Sequence, residues 1–437
     1  MNRKFQTIII LLALAAASFP LTLEQAIDMA LRDNSQVIIA EKEADAARED
    51  KKSALTGFLP KLTLEASYTR LDEVPVLTMP EELSGFMPEE GIPMGDDDNY
   101  AITLGLQQPI FMGGKIYHGY KAAKAGAEAK MARANQQRAE TAVAVSEAYY
   151  GVVKAHLFLI NIQNARERMD AHLEQIEAMY EEGLLSRNDL LKTRVASSEI
   201  DLMMIQAENA VSASRLGLNF TLNLPQDTVL TLEPDTAAPD PELPDLEAGI
   251  EKALERRPDI LAVEKGSEAA DAGVKAAWGS LSPDIVGIFN YQYQRPNRQY
   301  EPEFYDSWNA TVAASWDIFS WGDRIFQIRK ARANRAGGEE ALSMVARAAE
   351  MDVRLKYNQL KETGEALEVA RVKLRQAREG YRVARAEFGA GMATNADVLD
   401  ADADLIQAQS EYTTAAADYQ VAGIKYRAAV GTSFEEK

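Results

Sequence analysis

An internal duplication is the sequence feature that most constrains the fold. The stretch "LEQAIDMAL" (Leu23–Leu31) aligns with "LEAGIEKAL" (Leu246–Leu254) at an offset of 223, which also maps Pro60 onto Pro283. Repeats of this length are duplications of a whole structural unit rather than short solenoid repeats. We therefore expect a first repeat over residues 21–231 and a second over 246–431. They are joined by a Pro-rich linker at 232–245 and followed by a tail at 432–437.

The offset becomes 208 from residue 100 onward. It then maps Phe111 onto Phe319 and Gly183 onto Gly391. The change of 15 residues falls between residues 71 and 99, so only one loop differs much in length between the repeats. Both repeats are expected to contain the same elements in the same order.

The first twenty residues have the pattern of a secretory signal peptide. Basic Arg3 and Lys4 precede an apolar core from Ile8 to Leu14, and small residues follow at 15–18. A transmembrane anchor is the alternative, but the apolar run is shorter than the ~20 residues that a spanning helix needs. We predict a signal peptide at 1–20, and no later segment is expected to be a spanning apolar helix.

Composition argues against several classes of protein. The net charge of -20, from 47 basic and 67 acidic residues, disfavours a nucleic-acid partner, which requires clustered basic side chains. The absence of Cys excludes disulfides and thiolate chemistry. His118, His156 and His172 have no metal-ligand spacing, so packing or surface roles are expected for them. No phosphate loop or paired nucleophile and base is visible, so we expect neither an enzyme nor a cofactor.

Four segments alternate apolar and polar residues in the manner of amphipathic strands. In the first repeat they form a predicted β-hairpin over 62–110, with "LTLEASYTR" (Leu62–Arg70) as its first strand. In the second repeat the predicted hairpin covers 284–319. Each strand is about nine to eleven residues long, and aromatic residues lie near the ends, as in membrane-spanning strands. These aromatic residues are Tyr68, Tyr100, Tyr293, Trp308 and Trp316.

A four-stranded sheet in a membrane would have two open edges. Unpaired backbone groups cannot face hydrocarbon, so several chains would have to close the sheet into a barrel. A soluble sheet packed on helices is the alternative for each strand taken alone. The export signal and the repetition of the pattern favour the barrel.

Very long helices account for most of the remaining sequence. From about Lys115 to Glu181 there is no proline and the composition favours helix, which would be on the order of 100 Å long. In the second repeat, apolar and small residues from Val353 to Phe388 alternate steps of four and three, the pattern of a coiled-coil seam. A solvated coiled-coil stalk without a pore is the alternative, and the helices taken alone favour it.

Each long helix is expected to end in a tight turn and return as a second helix. The turns are predicted near 183–189 and 391–397, where Gly183 and Gly391 end one helix and Ser186 and Thr394 cap the next. Asp189 and Asp397 complete the capping boxes. Leu184 and Leu185 are expected to be exposed at the first tip, where apolar side chains suit a partner surface.

Signal peptide, duplicated helix-and-strand units and these tip motifs closely resemble the TolC family of outer-membrane efflux proteins, or outer membrane factors. The most specific short match is "DVLDA" (Asp397–Ala401). The resemblance implies an α+β membrane protein. It further implies that three sets of four strands from a homotrimer would form a twelve-stranded β-barrel in the outer membrane of a Gram-negative bacterium. A long α-helical coiled-coil tunnel would continue through the periplasm.

The resemblance also implies partners. A periplasmic adaptor and an inner-membrane pump of RND or ABC type would complete a multidrug efflux or type I secretion system, with this chain as its passive exit duct. By correspondence with the family's tips, the adaptor would contact two grooves. These contain Gly183, Leu184, Leu185, Ser186 and Asp189, and Gly391, Thr394, Asp397, Val398 and Leu399. Where some relatives carry polar residues that latch the closed mouth, this chain has Phe388 and Ala393, so such a latch is not expected there.

Asp397 and Asp400 are the predicted acidic ring of the periplasmic mouth. Three residues apart, they lie on nearly one helix face, and threefold assembly would gather six carboxylates. Such rings favour cations, and crowded carboxylates repel one another or have raised pKa values. Surface acids in an acidic chain are the alternative, which is the interpretation expected for Asp402 and Asp404. The loops 71–99 and 294–307 would face the outside, the first strongly acidic and expected to be solvated.

Two other classes of protein remain as alternatives. A periplasmic adaptor or scaffold without a pore would carry one hairpin inside Gly-rich β modules, whereas this chain has two hairpins and four amphipathic strands. A hydrolase concealed in a helical domain would require a catalytic constellation that the sequence does not contain.

Overall fold

The computed structural model describes residues 20–77, 92–233, 241 and 243–432. The predicted signal peptide lies outside these residues apart from Pro20, as do residues 433–437 of the predicted tail. Parts of the acidic loop and of the Pro-rich linker lie outside them as well.

The described elements repeat in order. The first repeat contains α1 (Leu23–Asp33), α2 (Ser35–Thr56), β1 (Lys61–Arg70), β2 (Val76–Leu77), β3 (Ile92–Pro93), β4 (Asp98–Phe111), α3 (Lys115–Glu181) and α4 (Arg187–Thr221). The second contains α5 (Leu246–Arg256), α6 (Pro258–Gly279), β5 (Asp284–Arg295), β6 (Tyr305–Ser315), α7 (Asp323–Gly389) and α8 (Asn395–Ala429).

Helix lengths in the two repeats are identical. α1 and α5 have 11 residues each, α2 and α6 have 22, α3 and α7 have 67, and α4 and α8 have 35. Their boundaries are related by the offsets of 223 and 208 read from the sequence. The duplication therefore extends from sequence to structure, helix by helix.

The chain divides into two compact units. One, Ala44–Ala129 with Val263–Leu342, holds the larger sheet and is called the sheet unit. The other comprises the remaining described residues, including both helical hairpin tips, and is called the hairpin unit.

In the sheet unit four antiparallel strands have the order β1-β4-β5-β6. Leu64 pairs with Leu104, Leu104 with Tyr291 and Tyr291 with Trp308, so the four side chains share one face. The neighbouring row, on the opposite face, consists of Glu65, Thr103, Gln292 and Ser307. Leu64 is 71% exposed and Trp308 66%. One face is apolar and uncovered and the other polar, as the alternating pattern predicts.

The outer edges of this sheet belong to β1 and β6, each of which pairs on one side only within the described residues. β6 ends at Ser315, so the predicted second hairpin extends four residues too far, and Trp316 lies just beyond the strand. The short pair of β2 with β3 was not predicted, because two-residue strands carry no periodicity.

Aromatic side chains gather at one end of the sheet. The ring centroids of Tyr68 and Tyr100 are 4.9 Å apart, and those of Tyr293 and Phe304 are 5.1 Å apart. Tyr100 and Phe304, at 5.9 Å, join the two pairs. Three of the five aromatic residues singled out from the sequence therefore lie in one cluster, which Phe304 completes.

The hairpin unit is held together by heptad packing. Val353, Leu360, Leu367 and Leu374 of α7 are all buried, at 0%, 5%, 0% and 6% exposure, as the predicted seam requires. Val353, Leu360 and Leu367 pack with Tyr419 and Ala422 of α8. Long helices such as these are stabilised mainly by this burial rather than by intrinsic propensity.

Among the described residues one helix, α3, is long and apolar enough to cross a membrane by length and composition alone, a match that the sequence analysis did not anticipate. Its apolar side chains have another use, since Val145, Tyr149 and Ile162 are buried against neighbouring elements of the hairpin unit. The hydroxyl of Tyr149 donates to the Leu21 carbonyl at 3.0 Å. These apolar side chains of α3 therefore serve helix packing.

Candidate functional site

The first hairpin tip begins where α3 ends. The amide of Leu184 donates to the Met179 carbonyl at 2.8 Å, and that of Gly183 to the Tyr180 carbonyl at 2.9 Å. This pair of bonds is a Schellman motif, which requires a left-handed residue after the helix. Gly183 supplies it with φ of 77°, because glycine has no Cβ to clash.

The second tip repeats this geometry 208 residues later. Met392 donates to the Glu387 carbonyl at 2.8 Å and Gly391 to the Phe388 carbonyl at 3.0 Å, with φ of 72° at Gly391. The two glycines predicted to end the long helices therefore do so by the same bonds.

Capping boxes begin both returning helices, as predicted. The amide of Asp189 donates to Ser186 Oγ at 3.2 Å, and the Asp189 carboxylate accepts from the Ser186 amide at 3.2 Å. At the second tip the corresponding distances between Thr394 and Asp397 are 3.3 and 2.7 Å. The hydrogen bond from the Thr394 side chain lowers the pKa of Asp397.

The apolar side chains that are exposed at the tips are not all the predicted ones. Leu184 is 64% exposed, as predicted, whereas Leu185 is half-buried against a cluster formed by Ile176, Leu190, Phe388 and Val398. The prediction for Leu185 is wrong because its side chain packs under the turn. The exposed partner of Leu184 is Met392, 74% exposed, which the sequence reading overlooked although the offset of 208 relates the two positions.

Val398 and Leu399 also lie where a partner cannot readily reach them. Val398 is 2% exposed, and Leu399 is half-buried against Ile162, Met169 and neighbouring residues. Gly183, Ser186, Gly391, Thr394 and Asp397 are exposed, and Asp189 is half-exposed. The predicted grooves therefore present turn residues and polar caps, with Val398 packed beneath them.

A hydrogen-bonded bridge joins the two tips. Asn395 Nδ2 donates to Thr193 Oγ1 at 2.9 Å and to the Asp189 carbonyl at 3.2 Å. Asn395 Oδ1 must then be the acceptor in its 2.8 Å contact with His172 Nε2, so the proton of the neutral imidazole lies on Nε2. His172 is 9% exposed and its ring meets Phe388 edge-on at 5.5 Å.

Beside this bridge Arg168 and Asp402 form a buried ion pair between the hairpins. Arg168 Nε lies 2.8 Å from Asp402 Oδ1, and the guanidinium stacks over Tyr381 at 5.4 Å. Asp402 is 3% exposed, so the expectation that it is a surface acid is wrong. Burial raises the pKa of Asp402 and lowers that of His172. Asp404, in contrast, is exposed as expected.

This polar bridge has no counterpart in the other half of the duplication. At the related positions Arg168 is replaced by Gln376, His172 by Gly380, Asn395 by Arg187 and Asp402 by Arg194. The departure of these residues from the repeat was the available sequence signal. The sequence-based prediction of the tips used only the residues that the two repeats share, so these four residues were not predicted.

Asp397 and Asp400 both project from the first turns of α8 into solvent. Asp397 accepts the capping hydrogen bonds, whereas the Asp400 side chain forms no hydrogen bond or ion pair with the described residues. Within one chain the pKa of Asp397 is lowered rather than raised, because its nearest groups are hydrogen-bond donors. Among the described residues no cluster of three or more acidic or imidazole side chains is arranged to hold a metal ion.

Comparisons with known proteins agree with this architecture. The family model described as "Outer membrane efflux protein" matches residues 26–224 and 249–432, most of both repeats. The alkaline protease secretion protein AprF of Pseudomonas aeruginosa is 24% identical over 89% of this chain and 80% of its own length. The outer membrane protein TolC of Vibrio cholerae is 22% identical over 88% of this chain and 85% of its own.

The fold is also that of a solved outer membrane protein. The crystal structure of VceC from Vibrio cholerae has a TM-score of 0.77 at 18% identity, covering 94% of this chain and 97% of that one. The family match, which spans both repeats and leaves out mainly the linker and the ends, is the finding that identifies the chain. This chain belongs to the outer membrane efflux protein family.

Proposed function

We propose that this channel is the passive exit duct of a tripartite efflux or secretion system, fed by an inner-membrane pump of RND or ABC type through a periplasmic adaptor. Family membership makes it a transport channel of the Gram-negative outer membrane and not an enzyme. A duct needs no energy source of its own, so the pump would supply it. The cargo would be either secreted protein, since AprF is described as an alkaline protease secretion protein, or small molecules.

The observation that carries the proposal is the sheet with one uncovered apolar face and two open edges. Leu62, Leu64, Ile102, Leu104 and Val312 are each 40% or more exposed on this sheet. Hydrocarbon would cover such side chains, and the polar opposite face would line a water-filled bore. The edges at β1 and β6 would pair with other copies, because open edges cannot remain in lipid. A homotrimer would then give twelve strands.

The hairpin tips are the proposed adaptor contact. Leu184 and Met392 are large, exposed apolar side chains, one in the Schellman turn of each tip. Exposed apolar groups on an ordered scaffold suit a protein partner. Ser186, Thr394, Asp189 and Asp397 would form the polar rim of the two grooves. Val398 and Leu399 would support them from below.

The acidic ring is the proposed cation-favouring element of the periplasmic mouth. In a trimer Asp397 and Asp400 of each copy would contribute six carboxylates near the axis. Asp400 is the better candidate to face the bore, because Asp397 is engaged with Thr394.

Photocrosslinking in cells tests the adaptor contact. A photoreactive residue at position 184 or 392 should capture an adaptor of the same operon or membrane fraction. Leu184→Asp with Met392→Asp should reduce export at least tenfold while leaving detergent-extracted trimers and their conductance unchanged. Met203→Asp, at an exposed position away from the tips, is the control. Export that persists in the double variant, or capture of this chain alone, would contradict adaptor docking at the tips.

A further inference from the structure

A cavity of about 530 Å³ lies where α8 ends and α6 begins, entirely within the hairpin unit. Residues of α3 and α7 line its sides. Its volume is in the range of sites that bind small organic ligands. Basic side chains outnumber acidic ones in the lining, a contrast with the net charge of -20 of the whole chain. The basic residues are Arg138, Arg256, Arg257, Lys356 and Lys425, and the acidic ones are Glu140, Glu147 and Asp352.

Three of the five basic side chains are already paired. The pairs are Arg257 Nη1 with Asp352 Oδ2 at 2.8 Å, Lys425 Nζ with Glu147 Oε1 at 2.5 Å, and Arg138 Nη1 with Glu41 Oε1 at 2.6 Å. Arg256 and Lys356 form no hydrogen bond or ion pair with any residue that the structure describes. The remaining acid, Glu140, is exposed and accepts from Gln136 Nε2 at 2.9 Å. Two cations of the lining are therefore available to a ligand.

The corresponding junction in the first repeat lacks these charges. The offsets of 223 and 208 carry Arg256, Arg257, Lys356 and Lys425 onto Asp33, Asn34, Ala148 and Gly217. Asn34 Nδ2 donates to the Thr221 carbonyl at 2.9 Å. At the related positions Arg257 Nη1 donates to the Ala429 carbonyl at 3.1 Å. A neutral side chain therefore suffices to join the two helices, and Arg256 and Lys356 add charge that this junction does not need.

We propose that the cavity binds an organic anion with an apolar body, whose acidic group pairs with Arg256 and Lys356. A carboxylate or sulfonate would accept charge-assisted hydrogen bonds from both side chains, which belong to α5 and α7. The apolar body would contact the aliphatic part of the lining, which comprises Leu31, Ala139, Val143, Ala144, Pro258 and Ala428. An organic anion fits better than inorganic phosphate, which would leave this apolar lining unused.

This inference goes beyond the proposed function, because a passive duct requires no bound ligand. A ligand held by Arg256 and Lys356 would link the end of α5 to α7. Because it would bind only the folded chain, it should also raise the temperature at which the hairpin unit unfolds.

Naphthalene-2-carboxylate is the probe, since it combines one carboxylate with a flat apolar body, and 2-naphthamide is its neutral counterpart. Isothermal titration calorimetry on the full-length protein in non-ionic detergent, corrected by titration into detergent alone, should show tighter binding of the carboxylate. Arg256→Gln with Lys356→Gln should weaken that binding about tenfold or more, because charge-assisted hydrogen bonds are lost. Lys192→Gln with Arg375→Gln is the matched control, which removes the same charges from exposed positions outside the cavity. It should bind as the wild type does.

Acylation of lysine amines gives a second measurement at the cavity itself. The carboxylate should slow the acylation of Lys356 severalfold, as measured by peptide mass spectrometry. Lys361, exposed on the same helix and outside the cavity, should react at an unchanged rate. Equal affinity of the wild type and the Arg256→Gln, Lys356→Gln variant, or equal protection of Lys356 and Lys361, would overturn the site. Equal binding of the carboxylate and the amide would overturn its preference for anions.

Discussion

Arg168 and Asp402 lie on different helical hairpins and form an ion pair of 2.8 Å, with side chains only 19% and 5% exposed. Arg168 Nη2 and Asp402 Oδ2 are buried without a hydrogen-bond partner among the described residues. The hydrogen bonds of the pair therefore compensate poorly for the hydration that both charges lose. Each charge depends on the other to remain buried.

Removing one member should destabilise the tips. Arg168→Met leaves a carboxylate buried without its counter-charge, which we expect to lower the free energy of local opening by about 3 kcal/mol. Arg168→Met combined with Asp402→Leu should recover most of this loss, because no uncompensated charge remains. Hydrogen exchange of tip amides in detergent-extracted protein measures both. Equal effects of the single and the double variant would show that the charge is not responsible.

Acidification should loosen the bridge between the tips through His172. Burial lowers the pKa of His172 below its ordinary value, against opposing effects of Asn395 and Asp402 and with a smaller contribution from Arg385. Its contribution to stability is therefore present above the unfolded pKa of ~6.5 and is lost as pH falls through the lowered folded pKa.

Amide exchange at the tips, compared between about pH 7.5 and pH 5.5 after correction for intrinsic rates, should accelerate in the wild type. It should do so much less in His172→Gln, which retains a donor without a titrating ring. Asp402 contributes the opposite slope, since its raised pKa favours the protonated folded state, and it is present in both proteins. An unchanged pH response in the variant would rule out His172 as its source.

Substitution of either tip glycine should destabilise the tip because of its backbone conformation alone. Apart from the adjacent residues, no atom lies within 4 Å of a Cβ built on Gly183 or Gly391, yet both have positive φ. Alanine at either position should lower tip stability by about 1–2 kcal/mol. Gly217→Ala, in the interior of α4 with equally open surroundings, should be neutral or stabilise by up to about 1 kcal/mol. Thermal unfolding of the three variants compares the effects directly.

Arginine should be tolerated on only one face of the sheet. Leu104 lies on the uncovered apolar face, whereas the adjacent Thr103 lies on the polar face. Leu104→Arg should reduce the amount of protein assembled in the outer membrane, since arginine facing lipid costs about 2–4 kcal/mol near the midplane. Thr103→Arg should assemble normally and alter conductance. Comparable assembly of the two variants would argue against lipid on the Leu104 face.

Substitutions of Asp397 and Asp400, the two acidic residues of the proposed mouth, should have different effects. Asp397→Asn weakens the capping box and should lower tip stability by about 1 kcal/mol as well as change cation selectivity. Asp400→Asn has no capping bond to lose, so it should change selectivity in single-channel recordings and leave unfolding unaltered. A stability loss at Asp400 as large as at Asp397 would mean that the two carboxylates act together in the fold.

Periodicity predicted most of this fold. The strands, the long helices and the coiled-coil seam each repeat a short pattern over many residues, and the duplication presents each pattern twice. The β2 and β3 pair and the end of β6 were not predicted correctly, because strand ends and two-residue strands depend on pairing rather than on local sequence.

The tips show a similar division. Gly183, Ser186 and Asp189 act through backbone bonds to residues a few positions away, so sequence alone identifies their roles. Arg168 and Asp402 are 234 residues apart, and the burial of Asp402 depends on how two hairpins meet. Single-chain sequence patterns contain no information on such a contact unless the departure from the duplicated template is read as a signal.

The equality of α3 and α7, at 67 residues each, has a consequence for how such chains change over time. An insertion in one helix alone would raise one tip about 1.5 Å per added residue above its neighbour and rotate it by roughly a quarter turn. His172 would then no longer meet Asn395. The helical hairpins can therefore change length only if both repeats change together. Functional variants should gain or lose the same number of heptads in each repeat.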